Sequence, residues 1–127
     1  MSKRVISTDR APEAIGAYSQ AIEVNGVVYM SGQIPLDPES MELAPEVRDQ
    51  IHQVFRNLSA VADAAGGTLA DAVKLTVYLT DLNDFAAVNE IMAEYVPEPF
   101  PARAALGVAA LPRGARVEVE GVLVLGN

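Results

Sequence analysis

The stretch "VEVEGVLVL", Val117 to Leu125, decides how this chain must fold. Residues two apart on a strand share a face. Val117, Val119, Leu123 and Leu125 fall on one side, and Glu118, Glu120, Val122 and Val124 on the other. A strand with its back to water would be polar throughout on one side. Here valines stand on both, so both faces are expected to be covered.

Working outward, "DAVKLTVYL" also alternates, with Val73, Leu75, Val77 and Leu79 on one face and Lys74, Thr76 and Tyr78 on the other. This predicts a second strand. Between Ser19–Val24 and Val27–Ser31 stands Asn25-Gly26, a hairpin signal. The proline-bearing acidic segment "PLDPESMELAP" reads as a loop. From Glu46 the period lengthens: Val47, Ile51, Val54, Leu58, Val61 and Ala65 recur every three or four residues, and "AGG" at Ala65–Gly67 ends the helix. Asp81 or Asn83 caps a second helix with Phe85, Val88, Met92 and Tyr95 as its stripe, stopped by Pro97. Residues 102–109 and 115–125 read as strands joined through the turn "LPRG". With "RVIST" as a short first strand, the order is β-β-β-α-β-α-β-β. That is an α+β fold: one sheet with two helices packed on one face. No element remains for the other face. A second copy of the chain is therefore expected to cover it, with the glutamates of the last strand at or near that interface.

The bulk properties narrow the function. The 127 residues predict a single domain, residues 1–127, that buries roughly two-thirds of its unfolded surface. Zero cysteines and one histidine exclude disulfides, thiolate nucleophiles and Cys- or His-rich metal sites. The N-terminus lacks an apolar signal region and no apolar run has membrane length, so a cytoplasmic location is the expectation. A formal charge of −8 disfavours nucleic acid and anionic lipid as partners. There is no Gly-rich phosphate loop and no nucleophile elbow. His52, inside the first helix, reads as a boundary histidine.

A few residues stand out chemically. Arg103 lies among small apolar neighbours in "EPFPARAALGV". Two readings stand on pattern alone: an edge-strand arginine held by a surface carboxylate, or a guanidinium fork that grips a ligand carboxylate beside small alanines. Glu118 and Glu120 share a face. They read either as ion-pair partners of Arg113 or Arg116, or as a site where one partly buried carboxyl acts as general base. Tyr18 in "GAYSQA" and Ser31 in "SGQIP" read on pattern alone as bend and turn residues.

The motifs "APEAIGAYSQAI", "SGQIP", "DLNDFAAVNEIMAEY" and "FPARAALGVAALPRGARVEVE", in that order and spacing, resemble the RidA (YjgF) family over essentially the whole chain, from Ala11 to Leu125. The resemblance implies a chorismate-mutase-like fold with a mixed sheet. It implies a homotrimer with active sites between subunits. It also implies hydrolysis of small 2-imino acids to 2-keto acids and ammonia without metal or organic cofactor. Carried over by motif, the arginine of "PAR" is Arg103 and the acidic residue is Glu118. The substrate-binding positions are Tyr18, Ser31, Gly32, Asn89 and, through its backbone N–H, Ala105. The chain departs from the archetypal pattern at Ala17, where many members have proline, at Ala105, where that branch has cysteine, and at Gly107, where it has an acidic or polar residue. An alternative is a trimeric module that captures small carboxylates, such as 2-keto acids, without turning them over.

Overall fold

The computed structural model describes residues 2–126. Its strands are β1 (Arg4–Ile6), β2 (Ala21–Val24), β3 (Val27–Gln33), β4 (Ala72–Leu79), β5 (Ala102–Gly107) and β6 (Val117–Val124); the helices are α1 (Val47–Ala64) and α2 (Phe85–Tyr95). The element order is the one the periodicity predicts. The strands form one mixed six-stranded sheet in the order β1-β2-β3-β6-β4-β5, all pairs antiparallel except β4–β5. The last strand is thus central. It inserts between β3 and β4, which α1 connects, while α2 carries the chain from β4 to the parallel edge strand β5.

Local chemistry explains the boundaries. Asn25 and Gly26 both take positive φ, 51° and 83°, as the tight hairpin requires. Helix α1 ends in paired backbone bonds, Gly67 N–H to the Ala62 carbonyl and Gly66 N–H to the Asp63 carbonyl, with Gly66 at φ +94°. Glycine carries that left-handed step without steric cost. Of the two caps expected for the second helix, Asp81 is the one used. Its side chain accepts the Asn83 N–H at the start of a 3₁₀ turn, Leu82–Asp84, that runs directly into α2.

The core lies between the helices and one sheet face. Ile51, Val54, Leu58 and Val61 of α1, joined by Phe55, pack with Val77, Leu79, Val117, Val119 and Leu123. Two buried amides of α1 tie the loop before the helix to it. Asn57 donates to the Leu36 carbonyl and Gln50 to that of Ala44, while Gln50 also accepts the Arg116 N–H. His52 sits at the α1–α2 boundary, with Nδ1 2.8 Å from the Tyr95 hydroxyl.

One expectation fails. Val73 does not share the buried face with Leu75; it is 43% exposed. Ala72 pairs with Leu123 and Lys74 with Val122, so Val73 is an extra residue in a β-bulge and turns outward. Ala72 takes the buried place instead. Strands β5 and β6 are also shorter than expected, ending at Gly107 and beginning at Val117.

Candidate active site

The open face of the sheet carries the acidic half of the candidate site. Glu118 and Glu120 project from β6 on the side away from the helices, both half-buried. Beside them β3 is bulged. Met30 pairs with Gly121 and Gln33 with Val119, so Ser31 and Gly32 together span the single position Glu120. The extra residue brings Gly32 against Glu118. A Cβ on Gly32 would collide with the Glu118 carboxylate, so glycine lets that carboxylate lie against the bulge where a larger residue would push it aside. Ser31 donates its hydroxyl proton to the Ser19 carbonyl at 2.6 Å, and its N–H to the Gln20 carbonyl at 3.0 Å. These bonds hold the strand entry where Tyr18 stands. The Tyr18 hydroxyl accepts the Ile15 N–H, closing a tight bend. Buried Gln20 fixes the preceding segment by accepting the Thr8 N–H and donating to the Thr8 and Pro12 carbonyls. The result is a cleft of about 450 Å³ lined by Ile15, Tyr18, Ser31, Ile34, Arg113 and Glu118, among others.

Burial against this wall raises the Glu118 pKa above its ordinary 4.5, and the nearby Glu120 charge adds to the effect. Neither glutamate makes the ion pair that pattern allowed. Arg116 pairs with Asp84 and Arg113 donates to the Met41 carbonyl. Glu120 instead accepts a hydrogen bond from the Tyr78 hydroxyl.

Arg103 lies elsewhere. In the β4–β5 register it is opposite Leu75, so it points to the helix side of the sheet edge. Its Nη1 donates to Asn89 Oδ1 at 2.8 Å, and its guanidinium lies over the Phe85 ring at 4.9 Å from the centroid. These partners, and Met92, whose Sδ lies 3.8 Å from Nη1, all come from α2. Among the described residues no carboxylate pairs with it. A second cleft, about 460 Å³, is lined by Asn89, Met92, Ala93, Phe100, Pro101 and Arg103. Ala105 and Gly107 follow Arg103 on the same face of β5, and Leu82 fills the space beside Gly107.

The candidate residues of one chain therefore fall into two groups. Tyr18, Ser31, Gly32 and Glu118 come together on one side of the sheet. Arg103 and Asn89, with Ala105 on the same strand face, lie on the other. The sequence reading missed two members. Phe85 was read only as core, yet its ring supports the guanidinium. Tyr78 was read as a polar-face residue without a partner. No local sequence signal marks either contact, because each depends on register between distant segments.

The family model described as Endoribonuclease L-PSP matches residues 8–125. A 2-iminobutanoate/2-iminopropanoate deaminase of Mus musculus is 50% identical over 125 residues, 98% of this chain and 93% of that protein. The solved structure of RidA from the Antarctic bacterium Psychrobacter sp. PAMC 21119 superposes with a TM-score of 0.94 at 52% identity, covering 96% of this chain and 99% of that one. E. coli TdcF, solved with bound serine, superposes with a TM-score of 0.92 at 38% identity, covering 97% and 98%.

Proposed function

This chain belongs to the Endoribonuclease L-PSP family, which is the RidA/YjgF family, and on that premise we propose that it hydrolyses small 2-imino acids to 2-keto acids and ammonia. The observation that carries the reading is that one chain presents both a carboxyl of raised pKa, Glu118, and an arginine held by a neutral amide and a ring rather than by a carboxylate. A general base needs the first, and capture of a carboxylate substrate needs the second. The deaminase relatives and the serine-bound relative support the same chemical class.

The two groups lie on opposite sides of one sheet, so the working site is shared between subunits of a homotrimer that covers the open face. Arg103 of one subunit grips the substrate carboxylate. Asn89 and Phe85 hold the guanidinium from one side and leave the rest of its fork free. The Ala105 backbone N–H adds a donor. Across the interface, Glu118 takes a proton from a water as that water attacks C2. Glu118 hands that proton to the imine nitrogen, giving a neutral carbinolamine. Glu118 then takes the carbinolamine hydroxyl proton as the C2=O bond forms and the C–N bond breaks, and it passes this proton to the departing nitrogen, which leaves as ammonia. Ser31 has committed its proton to the Ser19 carbonyl, so it faces the water as an acceptor and orients it. Tyr18 walls the cleft beside Gly32. Imines hydrolyse unaided, so a general base worth ~10²–10⁴-fold plus positioning suffices. None of these steps calls for a metal or organic cofactor. The charge of −8 opposes binding to a phosphate backbone, so nucleic acid is not the proposed substrate. No helix among the described residues is long and apolar enough to cross a membrane, and the proposed place of action is the cytoplasm.

The test generates an imino acid in situ with an amino acid oxidase and follows ammonia and keto acid. Wild-type protein is expected to accelerate release, and Arg103→Ala to abolish the acceleration while keeping its oligomeric state. Undiminished acceleration in Arg103→Ala rejects the proposal. Keto acid binding with no acceleration by the wild type would make the protein a carboxylate-binding module.

A further inference from the structure

Two carboxyls two residues apart on one strand face compete for the same proton. Something must decide which one takes it. Glu118 and Glu120 are that pair, and their surroundings differ. Tyr78 of β4 stands directly opposite Glu118 in the ladder, yet its hydroxyl reaches diagonally to the Glu120 carboxylate. Glu118 receives no such donor among the described residues. It faces the Gly32 backbone on one side and the Tyr18 cleft on the other. A hydrogen bond donated to a carboxylate favours its charged form, and burial without a donor favours the neutral form.

We infer that Tyr78 and Glu120 form a positioning pair for the deamination proposed above, in which the Tyr78 hydroxyl holds the Glu120 charge and thereby assigns the proton-accepting role to Glu118. The inference rests on that reading of the site. Neither residue of the pair needs to touch substrate. Tyr78 acts on Glu120, and Glu120 acts on Glu118 through its fixed negative charge. The bond to Glu120, with burial and both carboxylate charges, keeps the phenol protonated and so able to donate.

The other groups facing Glu118 do not supply this function. From β3 come Ser31 and Gly32, which do not titrate at working pH, and Tyr29 lies further along, opposite Val122. From β4, Lys74 also stands opposite Val122, beyond Glu120. Strand β5 presents only Ala102, Ala104 and Leu106 on this face. Tyr18 lines the cleft with its hydroxyl bonded to the Ile15 N–H, and Arg113 has its guanidinium bonded to the Met41 carbonyl. In the proposed trimer the neighbour's Arg103 adds a positive charge, which acts on substrate and Glu118 in wild type and variants alike.

The test is a ¹³C NMR titration of glutamate side-chain carboxyls in the intact protein. The Glu118 resonance is assigned by its loss in Glu118→Gln. In the wild type it is expected to titrate in one step above the ordinary carboxyl range. Glu120→Gln removes the neighbouring charge and is expected to lower that midpoint by about 0.5–1 pH unit. Tyr78→Phe keeps the ring and removes only the donor. The Glu118 titration is then expected to broaden into two steps shared with Glu120. The acid limb of kcat/KM should move with the NMR midpoint in each variant, while KM stays close to the wild-type value. A Glu118 midpoint unmoved in Glu120→Gln, or a titration unaltered in Tyr78→Phe, overturns the inference. The NMR readout needs no turnover. Failure of the wild type to release ammonia would defeat the functional reading, whereas turnover with unaltered Glu118 titration would defeat this inference alone.

Discussion

Glu118 sits where the fold makes its charge costly, and that cost has a measurable sign. Its folded pKa lies above 4.5 because burial and the Glu120 charge both oppose ionisation. Between the ordinary value and the raised one, the folded protein binds more protons than the unfolded chain. Stability therefore falls as pH rises through that window, and the loss persists above it. Glu118→Gln removes the group that must ionise. Its melting temperature is expected to exceed that of the wild type at pH 8 and to match it near pH 4, while turnover drops ~10²–10⁴-fold. Scanning calorimetry at the two pH values checks this. A gain of equal size at both would assign the effect to packing rather than charge. Arg103 shows how far single residues were legible. Its motif marked it, but pattern alone left a surface ion pair as the better reading. The residue that answers it, Asn89, lies 14 positions earlier and meets it only because α2 returns the chain to a strand parallel to β4.

At the level of elements, β6 works because both neighbours close tightly on its midpoint. Gly121 lies opposite Leu75 of β4 and Met30 of β3. A Cβ there would come within 2.9 Å of the Lys74 carbonyl, backbone that cannot swing away, and would press on Leu75 and Met30 side chains. Gly121→Ala is expected to destabilise the protein by about 1–3 kcal/mol. It should lower the urea midpoint without changing the slope of the transition. No change would mean the β4–β6 contact yields more readily than the register implies. The elements themselves were legible, since the 3.6 and 2.0 periods, Asn25-Gly26 and Ala65–Gly67 carry them. The two bulges were not. An extra residue leaves the composition of a strand intact and only reverses which side it faces, so Val73 read as core and Ser31-Gly32 as a simple strand exit. The second bulge is the costlier omission, because it presses Gly32 against Glu118.

The molecule as a whole leaves one sheet face open, with Tyr29 55% exposed beside the two glutamates and Val122. The two-faced pattern of Val117–Leu125 led to the expectation that a second copy covers this face, and the proposed trimer would do so. What periodicity could not supply is that the sheet itself separates Glu118 from Arg103, so that the proposed site needs residues from two chains. A shared site has a consequence that a site within one chain does not. Arg103→Ala and Glu118→Gln should each be inactive alone. When two kinds of subunit are arranged around a closed ring of three, one boundary of each type occurs in every mixed trimer. One of those boundaries joins an intact Arg103 to an intact Glu118. Co-refolding the two variants in equal amounts is therefore expected to recover about a quarter of wild-type deamination, from closed cyclic assembly with random choice of subunits. The same variants mixed without unfolding, so that subunits do not exchange, provide the baseline. Recovery that tracks the fraction of mixed trimers, separated by a charge tag, places Arg103 and Glu118 on different subunits of one site. Co-refolded mixed trimers that remain as inactive as their parents would require both residues from one chain, an arrangement that would need the sheet edge to move around β4.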